Sequence, residues 1–510
     1  MLKVVVGKSR MKFFRRLLQV SALVLLACSL SAQSPDLVQK SHRVKELMAE
    51  GKYEDAIPLC RELVRALPND PGLVMNLGLA LDMSGNKQGA VREYQAALKL
   101  APDHYPALLL LGTAYLDLGR PAKAVGLLER ALKAQPDSVD AQETLAEALL
   151  GVGRLGEAAH RFEALVQAHP DSAKSWYGLG SCYDGLAQKS FDELAKIAPG
   201  SAFWLALVAE SRLDTKQNYS AFYFYRQALA KAPSMRGAHA AIAQIYRDTG
   251  HADWALVEDA KERQLTPPDC TAQKLECAFR AGNFARVVEL SGSATSPEAY
   301  YWRTRAYNRL AMDAYVRLGQ LPPSMETHEL KAKIESKRRE YAEAVKEWRE
   351  ALKLAPGNRY VEKQLAVDLF YVGDLASAQS QFQELIKTEP NAPELNYFLG
   401  ETIARAQKPQ DAIPYLERAI KADPGMLAAQ KSLGLAYLQN RQAEKAIPHL
   451  KAALPIDDDG SVRYQLGRAY QASGQAALAQ AMFKQYQEKQ NAQQAENKAT
   501  ETEVAITPPD

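Results

Sequence analysis

The chain has 510 residues, of which 47% are hydrophobic and 24% are charged. This composition is typical of a folded protein, and the length is too great for one ordinary core, so several domains or one long repeat array are expected. The net charge of +3 includes six basic residues within the first 32, and the remainder carries a net charge of −3. Nothing basic remains to drive nucleic-acid binding, which is expected to be absent.

The first 32 residues have the organisation of a secretory signal. Six basic residues precede an uncharged run from Leu17 to Ala32, which is short for a membrane-spanning helix. Cleavage near Ser31 or Ala32 would release a soluble protein, whereas "LLAC", ending at Cys28, resembles a bacterial lipobox and would lead to lipidation. A retained membrane anchor is a further alternative. Met11 is an alternative start, because the segment after it is complete as a signal. Export to the periplasm or the medium is therefore predicted, with an outer-membrane lipoprotein as the alternative.

Four cysteines remain after this segment, which are too few and too scattered for a disulfide framework. Cys182 and Cys277 replace small residues on predicted helix faces, which favours buried packing. If Cys270 and Cys277 share one helix, they lie about 10 Å apart by helical rise, too far for a disulfide. Residues 489–510 are polar and poor in large apolar side chains, which predicts a disordered tail.

A period of 34 residues runs through the first part of the chain, and chance does not align three residue types over four periods. Prolines, glycines and alanines each keep this spacing: Pro68, Pro102, Pro136 and Pro170; Gly51, Gly85, Gly119 and Gly153; Ala56, Ala90, Ala124 and Ala158. Each period predicts two helices, the first ending at the glycine and the second at the proline. Neither helix buries its apolar stripe alone, so the units must stack.

This pattern resembles the tetratricopeptide repeat family over about residues 37 to 488. The resemblance is carried by leucine-glycine pairs, by aromatic residues in both helices and by closing prolines. These are Leu77-Gly78, Leu111-Gly112, Leu179-Gly180, Leu399-Gly400 and Leu433-Gly434; Trp176, Tyr115, Tyr183 and Tyr437; Tyr94, Phe162, Tyr225, Trp348 and Phe382; and Pro199, Pro233, Pro267, Pro356, Pro390 and Pro424. The family implies an all-α superhelix of about 12 to 13 helix pairs. It is a scaffold class, so its fold alone does not specify a function.

The period breaks twice, and the two breaks resemble each other. Pro170 and Pro199 are 29 residues apart instead of 34, and the turn between the two helices of that unit is missing. The segment that begins at Tyr183 matches the one that begins at Tyr307, with its apolar face preserved. Because neither segment has a clear stop signal, each predicts one continuous helix, and two independent lapses of the repeat are the alternative. These fused-helix units are expected to re-aim the solenoid twice and to divide it into residues 37–172 with four regular units, 173–296 and 297–488.

The sequence contains no recognisable catalytic, cofactor or metal motif. "GVGRLG" from Gly151 to Gly156 matches a dinucleotide-binding pattern, but a helix precedes it where that pattern needs a strand. Ser181 lies on a helix instead of at a strand-to-helix elbow. The histidines are dispersed, and the acidic run from Asp457 to Asp459 is expected to be a solvated turn. A protein without enzymatic activity, cofactor or metal is predicted, and an enzyme without a known motif is the alternative.

The family resemblance implies a concave groove, lined by the first helix of each unit, that holds a peptide or a partner helix. Its N-terminal part would present Met75, Leu79, Leu109, Leu116, Glu143, Glu147 and Tyr177, and its C-terminal part would present Tyr360, Lys363, Phe370, Tyr371, Tyr397, Glu401, Arg405 and Tyr464. The Lys and Asn residues with which some members hold a C-terminal carboxylate are replaced in this chain. The predicted function is a scaffold that binds proteins or peptides in the bacterial cell envelope. The alternative is a lipid-anchored subunit of an envelope assembly or transport complex.

Overall fold

The computed structural model describes residues 35–509, without the side chains of residues 495–504. The predicted signal and Cys28 lie outside the described residues. The described part of the chain is built from 26 α-helices and contains no strand. None of these helices combines the length and the apolarity that crossing a bilayer requires.

Most helices follow one another through short turns. They are α1 (Pro35–Ala49), α2 (Tyr53–Ala66), α3 (Pro71–Met83), α4 (Lys87–Leu100), α5 (Tyr105–Asp117), α6 (Pro121–Ala134), α7 (Val139–Gly151), α8 (Leu155–Ala168), α9 (Ala173–Ile197), α10 (Ala202–Asp214), α11 (Asn218–Lys231), α12 (Ala238–Asp248), α13 (Ala252–Gln264), α14 (Lys274–Arg280), α15 (Phe284–Ser291), α16 (Pro297–Gln320), α17 (Met325–Lys337), α18 (Tyr341–Leu354), α19 (Arg359–Val372), α20 (Leu375–Thr388), α21 (Pro393–Arg405), α22 (Pro409–Ala422), α23 (Leu427–Gln439), α24 (Ala443–Ala452), α25 (Ser461–Ala472) and α26 (Ala476–Val504).

Regular units form because two apolar stripes meet across a short turn. In α5 and α6 the turn is made at Gly119, whose φ of +65° suits a residue without a Cβ atom. The helices approach closely at Gly112, where an added Cβ would lie 2.7 Å from atoms of the Leu128 side chain. The same contact joins a glycine to the residue 16 positions later in other units: Gly78 with Tyr94, Gly400 with Leu416, Gly434 with Leu450 and Gly467 with Phe483. This glycine therefore identifies the second helix that completes a unit.

The two predicted fused helices are confirmed. Helix α9 runs without interruption from Ala173 to Ile197, and α16 runs from Pro297 to Gln320. The Ser172 side chain caps α9 by accepting a hydrogen bond from the backbone N–H of Ser175, at 3.1 Å. Nothing in the middle of either helix breaks it, as the helix-forming residues of both segments predicted.

The helices α9 and α16 pack against each other and exchange their halves; we call them the exchanged pair. An added Cβ on Gly180 would not meet Lys196, 16 positions later, but the ring of Tyr315 in α16, at 2.3 Å. Tyr315 donates a hydrogen bond to Asp184 at 2.5 Å, and Tyr183 stacks on Tyr307 at 6.0 Å between ring centroids. The second half of α16 thus serves as the second helix for the first half of α9.

The contacts of the opposite ends complete the exchange. Leu194, near the end of α9, lies in one apolar cluster with Tyr300, Trp302 and Ala306, near the start of α16. The two long helices are therefore antiparallel. Tyr183 and Tyr307, which correspond in the two matching segments, contact each other, as expected for residues close to a local two-fold relation.

The exchange changes the predicted course of the solenoid. The expectation was two separate bends, whereas α9 and α16 form one junction from which three arrays extend. The first array is α1–α8 and the second is α17–α26, and these two adjoin directly because α17 packs against α9 as well as α18. Helices α10–α15 (residues 202–291), which we call the middle arm, extend from the other half of the exchanged pair. The predicted division into domains at residues 172 and 296 stays a prediction.

The middle arm has an aromatic core centred on Arg305 of α16. The guanidinium carbon lies 4.5 Å from the ring centroid of Phe279 and 5.2 Å from that of Trp302. Its charge is paired with Glu210 at 2.9 Å, and it donates a hydrogen bond to the Tyr301 hydroxyl at 3.0 Å. Paired in this way, a buried arginine joins α10, α14 and α16.

Cys270 and Cys277 form a disulfide, which corrects the prediction that they are too far apart. That prediction assumed one shared helix, but α14 begins only at Lys274. Before it, Asp269 accepts a backbone hydrogen bond from Thr271 at 2.9 Å and turns the chain back, so the two Cα atoms are 5.6 Å apart. Cys277 is therefore not a buried free thiol, whereas Cys60 and Cys182 are free and buried, as predicted for Cys182.

The predicted disordered tail is also corrected. Helix α26 continues through residue 489 to Val504. Beyond it, Ile506 packs against an apolar cluster of the middle arm, and Thr507 is held by hydrogen bonds from Tyr246 and Arg226. Composition did predict few large apolar residues, but one isoleucine and two hydrogen bonds are enough to fix the segment.

Candidate functional site

The N-terminal part of the predicted groove is largely closed. Met75, Leu79 and Leu109 are buried within the apolar cluster of the first array, and only Leu116 is half-buried at its edge. The first helices α3, α5 and α7 pack beside one another, and α3 and α5 are apolar on almost every side. A helix that is apolar all round is buried. These three residues are therefore core residues, which corrects their predicted role as a binding surface.

Glu143 and Glu147 differ in what they do. Glu143 accepts hydrogen bonds from the hydroxyls of Ser172 at 2.5 Å and Ser175 at 2.7 Å, so it fixes the start of α9. Glu147 is exposed and pairs with Lys174 at 2.8 Å. Partial burial by itself lowers the pKa of Lys174, but the charges of Glu147 and Glu143 outweigh this and raise it. Lys174 therefore stays charged at this edge of the concave face.

Tyr177 and Tyr360, predicted in separate parts of the groove, meet on one cation. The Lys333 ammonium group of α17 lies 5.2 Å from each of their ring centroids and 2.9 Å from Glu329. Tyr177 donates a hydrogen bond to Glu329 at 2.5 Å. Burial and the adjacent Glu329 charge raise the pKa of Tyr177 well above its ordinary value. We call Tyr177, Glu329, Lys333 and Tyr360 the bridge cluster, because it joins the first array to the second.

Lys363 and Glu394 continue the concave face from the bridge cluster toward α21. Their side chains form an ion pair between α19 and α21. Both are partly or fully exposed, so the pair contributes little stability and remains accessible.

Beyond this pair lies the aromatic patch, which we define as Phe370, Tyr371, Tyr397, Glu401 and Arg405. Phe370 is buried and forms its base, with the Arg405 guanidinium 4.0 Å from its ring centroid. Arg405 also donates a hydrogen bond to Glu401 at 3.1 Å. Tyr371 is 48% exposed. Phe370 thus supports the patch and does not itself form its surface, which refines its predicted role.

The other tyrosine of the patch is held by its surroundings. Tyr397 is half-buried and lies beside Phe398, with 5.1 Å between the ring centroids. Burial, together with the nearby charge of Glu401, raises the pKa of Tyr397 to about 12. Its hydroxyl is therefore neutral at physiological pH and available as a hydrogen-bond donor.

Tyr464 lies apart from the aromatic patch. It belongs to α25, where its ring contacts Phe483 at 5.8 Å and Tyr486 at 5.3 Å, both in α26. It is 42% exposed, so it marks the far end of the second array.

Sequence reasoning missed Glu329 and Lys333, which hold the bridge cluster together. Their place depends on α17 packing against α9, and that contact follows from the exchange. The stacked ring of Tyr341, 5.0 Å from Tyr371, was also missed. It begins a second helix, outside the positions that line a groove in the family pattern. Within residues 35–509, no three His, Cys, Asp or Glu side chains converge as metal ligands would.

The comparison with solved structures gives short, partial matches. A structure described as "MamA 41-end from Desulfovibrio magneticus RS-1" is 23% identical, covers 33% of this chain and 96% of that one, and has a TM-score of 0.31. A second, "Crystal structure of MamA protein", is 23% identical, covers 36% and 98% of the two chains, and has a TM-score of 0.30. Values this low carry no functional argument. The search of curated proteins found no match.

The comparison with family models is more extensive. The model described as "Tetratricopeptide repeat" matches residues 43–105, 77–139, 109–158, 143–202, 363–426 and 404–461, together just over half of the chain. The matches stop near the end of α9 and resume in α19, so they omit the middle arm and α16. They coincide with the regular helix pairs of the two arrays. The chain belongs to the tetratricopeptide repeat family.

Proposed function

We propose that the protein is a scaffold that binds a segment of a partner protein on the concave face of its second array. The observation that carries this proposal is the aromatic patch, where exposed Tyr371 and half-buried Tyr397 flank the Glu401–Arg405 pair. Repeat proteins of this family are protein-interaction scaffolds, and tyrosine and arginine are the residues enriched among binding hot spots.

The chemistry of the patch selects a kind of partner segment. Two tyrosine rings offer a large apolar surface with few rotatable bonds, so they suit an apolar side chain inserted between them. The Glu401–Arg405 pair offers one charge of each sign, which suits a segment with a basic and an acidic residue flanking the apolar one. The bridge cluster, with Lys333 43% exposed at its side chain, extends the surface toward α9.

The proposed place of action is the bacterial cell envelope. The predicted signal within residues 1–32 motivates this proposal, and the Cys270–Cys277 disulfide supports it, because disulfides persist in oxidising compartments. Fractionation with intact-cell protease protection tests it, and a protein retained with cytoplasmic markers would contradict it. The alternative, a lipid-anchored subunit of an envelope complex, requires incorporation of labelled palmitate that is lost in Cys28→Ala.

The binding proposal is tested by affinity capture from envelope extract with Tyr371→Ala/Tyr397→Ala. Loss of two hot-spot rings typically weakens binding by about 2 kcal/mol or more, so recovery of the partner should fall at least about 30-fold. Tyr219→Ala is the matched control, since Tyr219 is a 61% exposed tyrosine of the middle arm, away from the patch. Equal recovery with the double variant and the control would contradict the proposal. A peptide scan of the captured protein then identifies the bound segment.

A further inference from the structure

Several junctions between units share one hydrogen bond. A tyrosine in a first helix bonds to the polar side chain 20 residues earlier, in the preceding second helix. Tyr183 donates to Glu163 at 2.7 Å, and Tyr437 donates to Glu417. At a third junction, Gln95 donates to the Tyr115 hydroxyl at 2.8 Å. Each pair closes its own junction without help from elsewhere in the chain.

The junction between α11 and α12 has the same spacing but a different partner. Here Tyr246 stands 20 residues after Arg226, whose guanidinium has donors and no acceptor. The Tyr246 hydroxyl therefore cannot donate to it as it does to a glutamate. Instead it donates to the backbone carbonyl of Thr507 at 2.6 Å, and Arg226 donates to the Thr507 hydroxyl at 2.7 Å. One threonine of the C-terminal segment thus accepts from both residues.

An apolar contact adjoins these two hydrogen bonds. Ile506 packs against the cluster that contains Phe222, Tyr246 and Trp254. The Phe222 and Trp254 rings each lie 5.5 Å from the ring of Tyr246, so the three side chains hold one another in place. The site thus combines an apolar surface with a hydroxyl donor and a guanidinium donor on adjacent helices.

The bound segment has a conformation suited to this site. Residues 506–509 are not helical, and Pro508 and Pro509 prevent α26 from continuing into them. Proline also restricts the free segment to extended conformations, which lowers the entropy lost on binding. Helix α26 itself contacts α11, which brings its end close to the site.

We propose that α11 and α12 form a second peptide-binding site, separate from the aromatic patch, that recognises an apolar-Thr-Pro-Pro segment. Its occupant is residues 506–509 of the same chain. The segment thereby acts as a latch that ties the end of the second array to the middle arm. Arg226 is the residue that distinguishes this junction, because an acceptor there would pair with Tyr246 and compete with Thr507.

The first test separates the site from its occupant. A chain ending at Val504 is titrated with a fluorescein-labelled peptide of residues 500–510, and binding is followed by fluorescence anisotropy. The shortened chain should bind saturably, and the full chain, whose site is occupied, at least about tenfold more weakly. Failure of a shortened chain with an unchanged helical circular-dichroism spectrum to bind would overturn the proposal. So would equal binding by both chains.

The second test concerns the recognising residues and the source of the segment. In the shortened chain, Arg226→Glu should weaken peptide binding at least about tenfold, whereas the control Arg212→Glu in α10 should not. Equal effects of the two variants would overturn the role of Arg226. In the full chain, Arg226→Cys/Thr507→Cys should oxidise to a cross-linked monomer. A covalent dimer would show that the segment of a second copy occupies the site and would overturn the intramolecular latch.

Discussion

Replacing Gly180 by alanine probes the exchanged pair directly. The added Cβ would lie 2.3 Å from Cε1 and 2.7 Å from Cζ of Tyr315, where ordinary contacts begin at 3.4 Å. The ring must therefore move by about 1 Å, although its hydroxyl is bonded to Asp184. Overpacking of this kind costs about 1–3 kcal/mol, so Gly180→Ala should destabilise α9 and α16 by about 2 kcal/mol.

The assay is native-state hydrogen exchange, which reports the opening free energy of each helix. Gly126→Ala is the matched control, because an added Cβ there meets nothing within 4 Å in the exposed face of α6. It should stabilise α6 by about 0.5–1 kcal/mol, as alanine does in a helix interior. In a double-mutant cycle, Gly180→Ala with Tyr315→Ala should cost about 1–2 kcal/mol less than the sum of the two changes. A stabilising effect of Gly180→Ala, like that of the control, would refute the packing of α9 on α16.

Three further predictions concern titrating and cross-linked groups. Burial raises the pKa of the Cys60 and Cys182 thiols to about 12, so at pH 8 both should resist iodoacetamide until the protein unfolds, as read by mass spectrometry. Cys270→Ser/Cys277→Ser should lower the opening free energy of α14 by about 2.5 kcal/mol in hydrogen exchange and leave α1–α8 unchanged, and an unchanged α14 would contradict this. Burial raises the pKa of Asp184 above 3.8, so the folded state binds its proton more tightly and stability falls as pH rises from there through the folded pKa. Asp184→Asn should flatten that part of the urea-denaturation profile, and an identical slope in both proteins would contradict the assignment.

The helix pairs could be predicted from sequence because local signals define them. Turn glycines such as Gly119 and closing prolines such as Pro136 set the ends of helices by backbone conformation alone. The continuous helices α9 and α16 were predictable for the opposite reason, since both segments lack such a turn between their apolar halves. Each of these predictions needs only neighbouring residues.

The pairing of α9 with α16 could not be read from neighbouring residues, since it joins positions more than a hundred residues apart. A signal was nevertheless present. Ala311, Tyr315 and Leu318 precede Pro323 by the same intervals at which Ala124, Leu128 and Ala131 precede Pro136. The end of α16 therefore has the pattern of a second helix, and only the structure shows that its first helix lies in α9.

The candidate site was predicted in part, and its errors have a common cause. The family pattern gives the direction in which a residue points but not whether a neighbouring first helix covers it. The apolar run from Leu108 to Leu111 left α5 with no polar face, which indicated burial of Leu109. By contrast, Tyr371 and Tyr397 belong to helices with mixed surfaces, and both remain at least half accessible.

The central claim is that the exchange places α9 beside α17, so that the two outer arrays share one concave face. Its most direct test is photo-cross-linking with p-benzoylphenylalanine in place of Tyr177, followed by mass spectrometry of the cross-linked peptides. Tyr177 lies against Glu329 and Lys333, so the account predicts cross-links to residues 325–337 of the same chain. Cross-links confined to α7, α8 and α9 would contradict it.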